Sequence, residues 1–168
     1  SATFSSMLAG SYTFTIRDAG LTTSTVSATI TQPTALVLSV GSKTNVTING
    51  QSTGSVTLSG SGGTTPYQYS KDGTTFQSSA TFSSIPAGNY TFTIRDVALA
   101  TSTVSATITQ PTALSVSVSS QTNVITIGQS TGSVTLSGSG GTAPYQYSKD
   151  GTNFQTSATF SSIPAGSY

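Results

Sequence analysis

Apolar and hydroxyl-bearing residues alternate along most of this chain. In 89–96, Tyr90, Phe92 and Ile94 fall on one face and Thr91, Thr93 and Arg95 on the other. In 101–109, Val104, Ala106 and Ile108 alternate with Thr103, Ser105 and Thr107. Val56 and Leu58 alternate with Ser55, Thr57 and Ser59; Leu36, Leu38 and Val40 form a further set, matched by Leu114, Val116 and Val118. A period of two with one oily and one hydroxylated face predicts half-buried antiparallel strands. No stripe at i, i+3, i+4 competes with it, and β-branched residues and glycine dominate, so helix is not expected. Gly60-Ser61-Gly62-Gly63, Lys71-Asp72-Gly73, Pro86-Ala87-Gly88 and Arg95-Asp96-Val97-Ala98 punctuate the runs. Asp72-Gly73 predicts a hairpin turn, because both positions tolerate φ > 0.

The pattern recurs. Residues 1–78 and 79–156 align without a gap at 62 identities in 78 positions, and 157–168 begin a third copy. A period of that length is a small domain rather than a solenoid coil. Seven or eight short strands per period predict an all-β fold of tandem immunoglobulin-like β-sandwich domains, about 78 residues each, joined into a semi-rigid rod. The border is expected at Gln32-Pro33-Thr34 and Gln110-Pro111-Thr112, where proline ends one strand just before the next begins. This phase makes 1–31 the C-terminal part of a preceding repeat and 32–109 a complete one. Residues 110–168 become the N-terminal part of a following repeat, without its last two strands. In isolation, 1–31 of one molecule is then expected to complete 110–168 of another. Tyr90, with Tyr12 and Tyr168 in the same place, fits a tyrosine corner as well as an ordinary core position. Thr47-Ile48 becomes Ile125-Thr126 one period later, which reverses side-chain parity and predicts an edge strand or loop at 45–50.

Composition narrows function more than fold. Ser (32) and Thr (33) make up well over a third of the 168 residues, whereas charged residues are only 5%. The net charge of +1 leaves no basic footprint for nucleic acid or an anionic membrane, and no apolar run is long enough to span a bilayer. The 34% hydrophobic residues are few but ordered by alternation, enough for a thin core.

The candidate chemistry is sparse. His and Cys are absent, so no nucleophile–base–orienter set can be assembled and the expectation is no enzyme. The carboxylates Asp18, Asp72, Asp96 and Asp150 sit at turns and strand ends, where turn chemistry accounts for them. Two per period also fall short of the six to eight oxygens of a calcium site, and no cofactor or metal is expected. Lys71 and Lys149 lie in an expected exposed turn and Lys43 becomes Gln121, which disfavours an isopeptide crosslink. The sequons at Asn45 and Asn89 carry little weight in so Thr-rich a chain. Tyr67 and Tyr69, repeated as Tyr145 and Tyr147, are the candidate ligand-facing residues, with core packing as the simpler account.

Four linked segments carry a family resemblance. They are Gly62-Gly63-Thr64-Thr65-Pro66-Tyr67-Gln68-Tyr69-Ser70; Lys71-Asp72-Gly73-Thr74-Thr75-Phe76-Gln77; Ile85-Pro86-Ala87-Gly88-Asn89-Tyr90-Thr91-Phe92-Thr93-Ile94-Arg95-Asp96; and Val104-Ser105-Ala106-Thr107-Ile108-Thr109-Gln110-Pro111. In this order they resemble the SprB-type repeat of very large surface proteins of Bacteroidota, exported by type IX secretion and best known in a gliding adhesin. The Cys that often follows the tyrosine strand in that family is missing here. The resemblance implies an extracellular, cell-surface fibre giving reach and attachment, with gliding as one such role. Its implied partners are extracellular surfaces or glycans, flanking repeats, and neighbouring copies in a filament. Carbohydrate-binding or spacer modules of a secreted enzyme, and a pilus-like polymer held by strand complementation, are the alternatives.

Overall fold

The computed structural model describes residues 1–168 and is all-β, with eleven strands and no helix. Strands β1 (Gly10–Arg17) and β2 (Thr23–Ile30) form an antiparallel hairpin. The next six are β3 (Val37–Thr44), β4 (Gly54–Ser61), β5 (Gln68–Ser70), β6 (Thr81–Ile85), β7 (Gly88–Arg95) and β8 (Thr101–Ile108). They form two three-stranded antiparallel sheets, ordered β3-β4-β6 and β5-β7-β8. Strands β9 (Ser115–Thr122), β10 (Gly132–Ser139) and β11 (Thr159–Ile163) make a last sheet, ordered β11-β10-β9. No helix is long and apolar enough to cross a membrane.

The sheets β3-β4-β6 and β5-β7-β8 face each other as an immunoglobulin-like sandwich, because each strand carries one apolar face that only the opposite sheet can cover. Leu38, Val56, Leu58, Phe82 and Ile85 from the first sheet meet Tyr69, Phe92, Ile94 and Ile108 from the second; Val46, just beyond β3, completes the buried cluster. Phe82 and Phe92 touch across the sheets as a tilted pair with centroids 5.3 Å apart. The hydroxyls on the alternate positions pair along the outside, for example Thr57 with Thr81 at 3.1 Å and Thr44 with Ser55 at 2.8 Å. A surface so poor in charge is thus hydrated and cross-linked through Ser and Thr.

The corner before β7 is closed as a tyrosine corner. The Tyr90 hydroxyl donates to the Pro86 carbonyl at 2.9 Å; Tyr12 does the same to Leu8 at 2.8 Å and Tyr168 to Pro164 at 3.1 Å.

One expectation changes. Six strands rather than seven or eight build the sandwich, because 45–50 is a loop and the run around Phe76 contributes only an isolated bridge from Gln77 to Tyr69. In the Asp72-Gly73 turn, Gly73 has φ of 75° and Asp72 does not enter the left-handed region. Asp72 instead spends its carboxylate on the turn. Its Oδ1 accepts from the amides of Thr75 (2.7 Å) and Thr74 (2.8 Å) and from the Ser70 hydroxyl (2.9 Å).

Phe92 is fully buried, whereas Phe14, its counterpart one period earlier, is half-buried on a hairpin of the same register. Phe92→Ala is expected to cost about 3–5 kcal/mol, read as the shift of the urea midpoint, and Phe14→Ala less than half as much. Equal losses would contradict this core.

Candidate functional site

Polar contacts between segments some sixty residues apart gather at the connector Thr109-Gln110-Pro111-Thr112, where β8 leads towards β9. Pro111 cannot donate to a ladder, so pairing stops at Ile108 and the connector must satisfy its backbone elsewhere. The loop at 45–50 does this from one side. The Val46 amide donates to the Thr109 carbonyl at 2.9 Å, and the Thr109 amide to Asn45 Oδ1 at 3.1 Å. The Gly50 amide donates to Gln110 Oε1 at 2.9 Å, and Asn49 Nδ2 to the Pro111 carbonyl at 2.8 Å. Lys43 Nζ adds a bond to the Thr107 carbonyl at 2.8 Å.

The other side is held by the Gly140-Gly141 turn after β10. The Gly141 amide donates to the Thr112 carbonyl at 2.7 Å. Gly140 has φ of 69°, and a Cβ there would lie 2.0 Å from the Ala113 carbonyl oxygen, so no other residue fits. A bond from Thr142 Oγ1 to the Thr47 carbonyl, 3.0 Å, then spans the connector directly. With each bond contributing about 0.5–1.5 kcal/mol, the set holds a short connector in one geometry.

The clamp repeats only in part. Around Gln32-Pro33-Thr34-Ala35 the glycine side is the same, with the Gly63 amide donating to Thr34 at 2.7 Å. On the loop side, Asn45 and Val46 recur as Asn123 and Val124, but Asn49 becomes Ile127 and Lys43 becomes Gln121. The reversed parity of 47–48 is tolerated because Thr47 contributes its carbonyl, not its side chain. Sequence reasoning located this loop but not its role; the recurrence of Asn-Val within otherwise altered residues was the available signal.

Tyr67 and Tyr69 lie at the sandwich's glycine corner, and Tyr145 and Tyr147 at the matching place on the last sheet. Tyr67 and Tyr69 both approach Gly60, where a Cβ would meet Ile94 Cδ1 at 2.3 Å, Tyr67 Cδ2 at 3.3 Å and the Tyr69 hydroxyl at 3.4 Å. Tyr69 is 8% exposed and packs in the core; burial pushes its phenol up, assisted by the neighbouring Tyr67. Tyr67 is half-buried and donates to the Gly62 carbonyl, as Tyr145 does to Gly140. Tyr145 and Tyr147 are half-buried and line an open cavity of about 430 Å³ with Leu114, Val116 and Leu136. On the outer face, the Arg95 guanidinium lies 4.0 Å from the Phe76 ring centroid and its Nε donates to Gln68 Oε1 at 2.9 Å.

The carboxylates are committed to backbone. Asp96, buried, accepts from the Thr64 amide on Oδ2 (2.9 Å) and the Ala100 amide on Oδ1 (2.8 Å). Asp150 accepts from the Thr152 and Asn153 amides and from Asn153 Nδ2. No three His, Cys, Asp or Glu side chains gather as a metal-binding group. The Thr75 and Thr74 amides hold the Asp72 carboxyl well below the usual carboxylate range, and the Asn153 side chain and amide do the same for Asp150.

The family model described as SprB repeat matches residues 40–75 and again 118–152, one period apart. No curated protein and no solved structure matches.

Two outcomes follow from this geometry. Asn49→Ala combined with Gln110→Ala is expected to speed hydrogen exchange at the Gly50 amide by at least about tenfold while leaving Phe92 protected; unchanged exchange would show that the clamp is slack. A depressed carboxyl pKa stabilises the fold above the unfolded value, near 3.9, and that stability is lost as pH falls through the folded value. The Asp72 and Asp150 carboxyl ¹³C signals should therefore titrate at lower pH than in the urea-unfolded chain; coincident midpoints would refute the cage.

Proposed function

We propose that this chain, which the SprB repeat model matches twice, is a segment of a long extracellular fibre on a bacterial surface, giving reach and attachment. The observation that carries this reading is the connector held on both sides, from Thr109 through Thr112. A flexible tether would leave such a connector solvated and rich in Gly or Ser. Here each of its carbonyls at 109, 111 and 112 has a protein partner, and its glutamine side chain accepts an amide. Successive units so joined transmit force and orientation, as a rod does.

The reading divides the chain at the prolines: 32–109 as a complete repeat, 1–31 as the end of the one before it and 110–168 as the start of the one after. Export by type IX secretion and attachment to extracellular glycans or surfaces belong to this proposal, as does a gliding role. Multiplying one module along a rod favours attachment by avidity, because weak contacts repeated on one chain reinforce each other.

The test is cryo-electron microscopy of native surface material together with the mass of its denatured chains. The expected result is a filament with an axial period of roughly 30–40 Å, an eight-residue strand at about 3.3 Å per residue plus its connector, carried by very long covalent chains. Chains that end in a catalytic domain after a few repeats would replace the fibre by a spacer function.

A further inference from the structure

Asn49-Gly50 is the one place in this chain where glycine follows asparagine. Asn45 and Asn123 precede Val, Asn89 precedes Tyr and Asn153 precedes Phe. The pair has a chemistry of its own. A glycine has no Cβ to shield its nitrogen, which is therefore open to close a five-membered imide with the carboxamide before it. Asn49, Gly50 and Gln110 are all exposed, so water reaches the site.

The connector holds both groups that this reaction consumes. The Gly50 amide donates to Gln110 Oε1 at 2.9 Å, and Asn49 Nδ2 to the Pro111 carbonyl at 2.8 Å. The carboxamide is not needed for the loop itself. Ile48 to Gln51 form a β-turn, with the Gln51 amide donating to the Ile48 carbonyl at 3.1 Å and Gly50 at φ of 77°. One period later Thr126 to Gln129 form the same turn, with a bond of 3.2 Å and Gly128 at φ of 78°, although Ile127 replaces the asparagine. The Asn49 side chain thus serves the connector rather than its own turn.

We propose that Asn49-Gly50 is a self-modification site through which the joint between 32–109 and 110–168 loosens irreversibly, and that the closed joint holds the reaction back. The Gly50 nitrogen forms a bond to Asn49 Cγ, the Cγ–Nδ2 bond breaks, and the Gly50 proton leaves with Nδ2 as ammonia. The imide has neither of the two donors that grip the connector. Water then opens the ring. Attack at Cγ gives aspartate, and attack at the Asn49 main-chain carbonyl gives an isoaspartyl linkage. Both products regain the Gly50 N–H, and neither regains Nδ2. Aspartate sets an acceptor against the Pro111 carbonyl, which is also an acceptor. The isoaspartyl linkage lengthens the loop backbone by one carbon.

Ring closure needs the Gly50 nitrogen and the Asn49 carboxamide free of their partners, so both connector bonds must open first. The rate therefore follows the fraction of time for which the joint is open, and each event removes a bond that kept it closed. Water is the only other reactant. The site would act in the same way between any two repeats joined like this, so it does not rest on the fibre reading.

The test keeps the 168-residue chain at mildly alkaline pH and follows Asn49 by peptide mass. Anion exchange gives a second readout, because the product adds a negative charge to a chain of net charge +1. Asn45, Asn89, Asn123 and Asn153 are internal references. In urea, Asn49 should convert ahead of these four. In the folded chain its conversion should be at least about tenfold slower than in urea. Gln110→Ala should speed conversion severalfold in the folded chain and leave the rate in urea unchanged. Asn49→Asp, which imitates one product, should speed hydrogen exchange at the Gly50 amide at least about fivefold. Equal rates in the folded chain and in urea, or a folded rate indifferent to Gln110→Ala, would show that the joint does not govern the reaction. Gly50 exchange unchanged by Asn49→Asp would show that the product leaves the joint closed. Each of these results would overturn the proposal.

Discussion

Closure of the β3-β4-β6 sheet by the β7–β8 hairpin is the contact on which the rest depends. With few hydrophobic residues available, the core is one layer thick, and Phe92, Ile94, Ile108 and Tyr69 supply the buried centre of one wall. Val56 and Leu58 are buried beneath that wall; their counterparts Val134 and Leu136, which lack it, are only half-buried on an otherwise similar sheet. The same residues in the same local structure thus differ in burial solely through the presence of a hairpin that packs across them. Tandem duplication places such a hairpin at every period and makes the module a unit that neighbours can complete.

The connector extends this logic from core to surface. A chain with almost no charge cannot lock repeats together through ion pairs, and it has no disulfides. It uses backbone amides, carbonyls and a few carboxamides, which are insensitive to salt. Glycine does the steric part: at Gly140, and at Gly62 before it, the turn touches the incoming strand so closely that a side chain is excluded. The contacts that vary between periods, at Lys43 and Asn49, lie on the loop side, where the geometry admits more than one solution.

Much of this was legible from the alternation alone. Tyr90, Phe92 and Ile94 were assigned to one face, and burial follows that face because a pleated strand leaves no other arrangement. The tyrosine corner followed from a Tyr at the start of a strand after Pro and Gly. Other features were not local. Whether Asp72 would take a left-handed conformation or cap amides could not be read from Asp-Gly, since both uses satisfy a tight turn. Tyr67 and Tyr69 were equivalent as sequence, yet one is buried and one half-buried, because only Tyr69 pairs with Ile94. The loop at 45–50 was recognisable by its broken parity, but its partners lie some sixty residues away.

The sequence by itself determined most of the strands, their faces, the period and the lack of His and Cys, because these depend on residue type and spacing within a few positions. The tertiary structure alone decided which apolar faces are covered and which stand open, and where a loop of one period meets the connector to the next. Those outcomes depend on packing between distant segments: 10–30 and 88–108 share nearly one sequence, and only the sheet lying opposite makes one a wall of a core and the other an exposed hairpin.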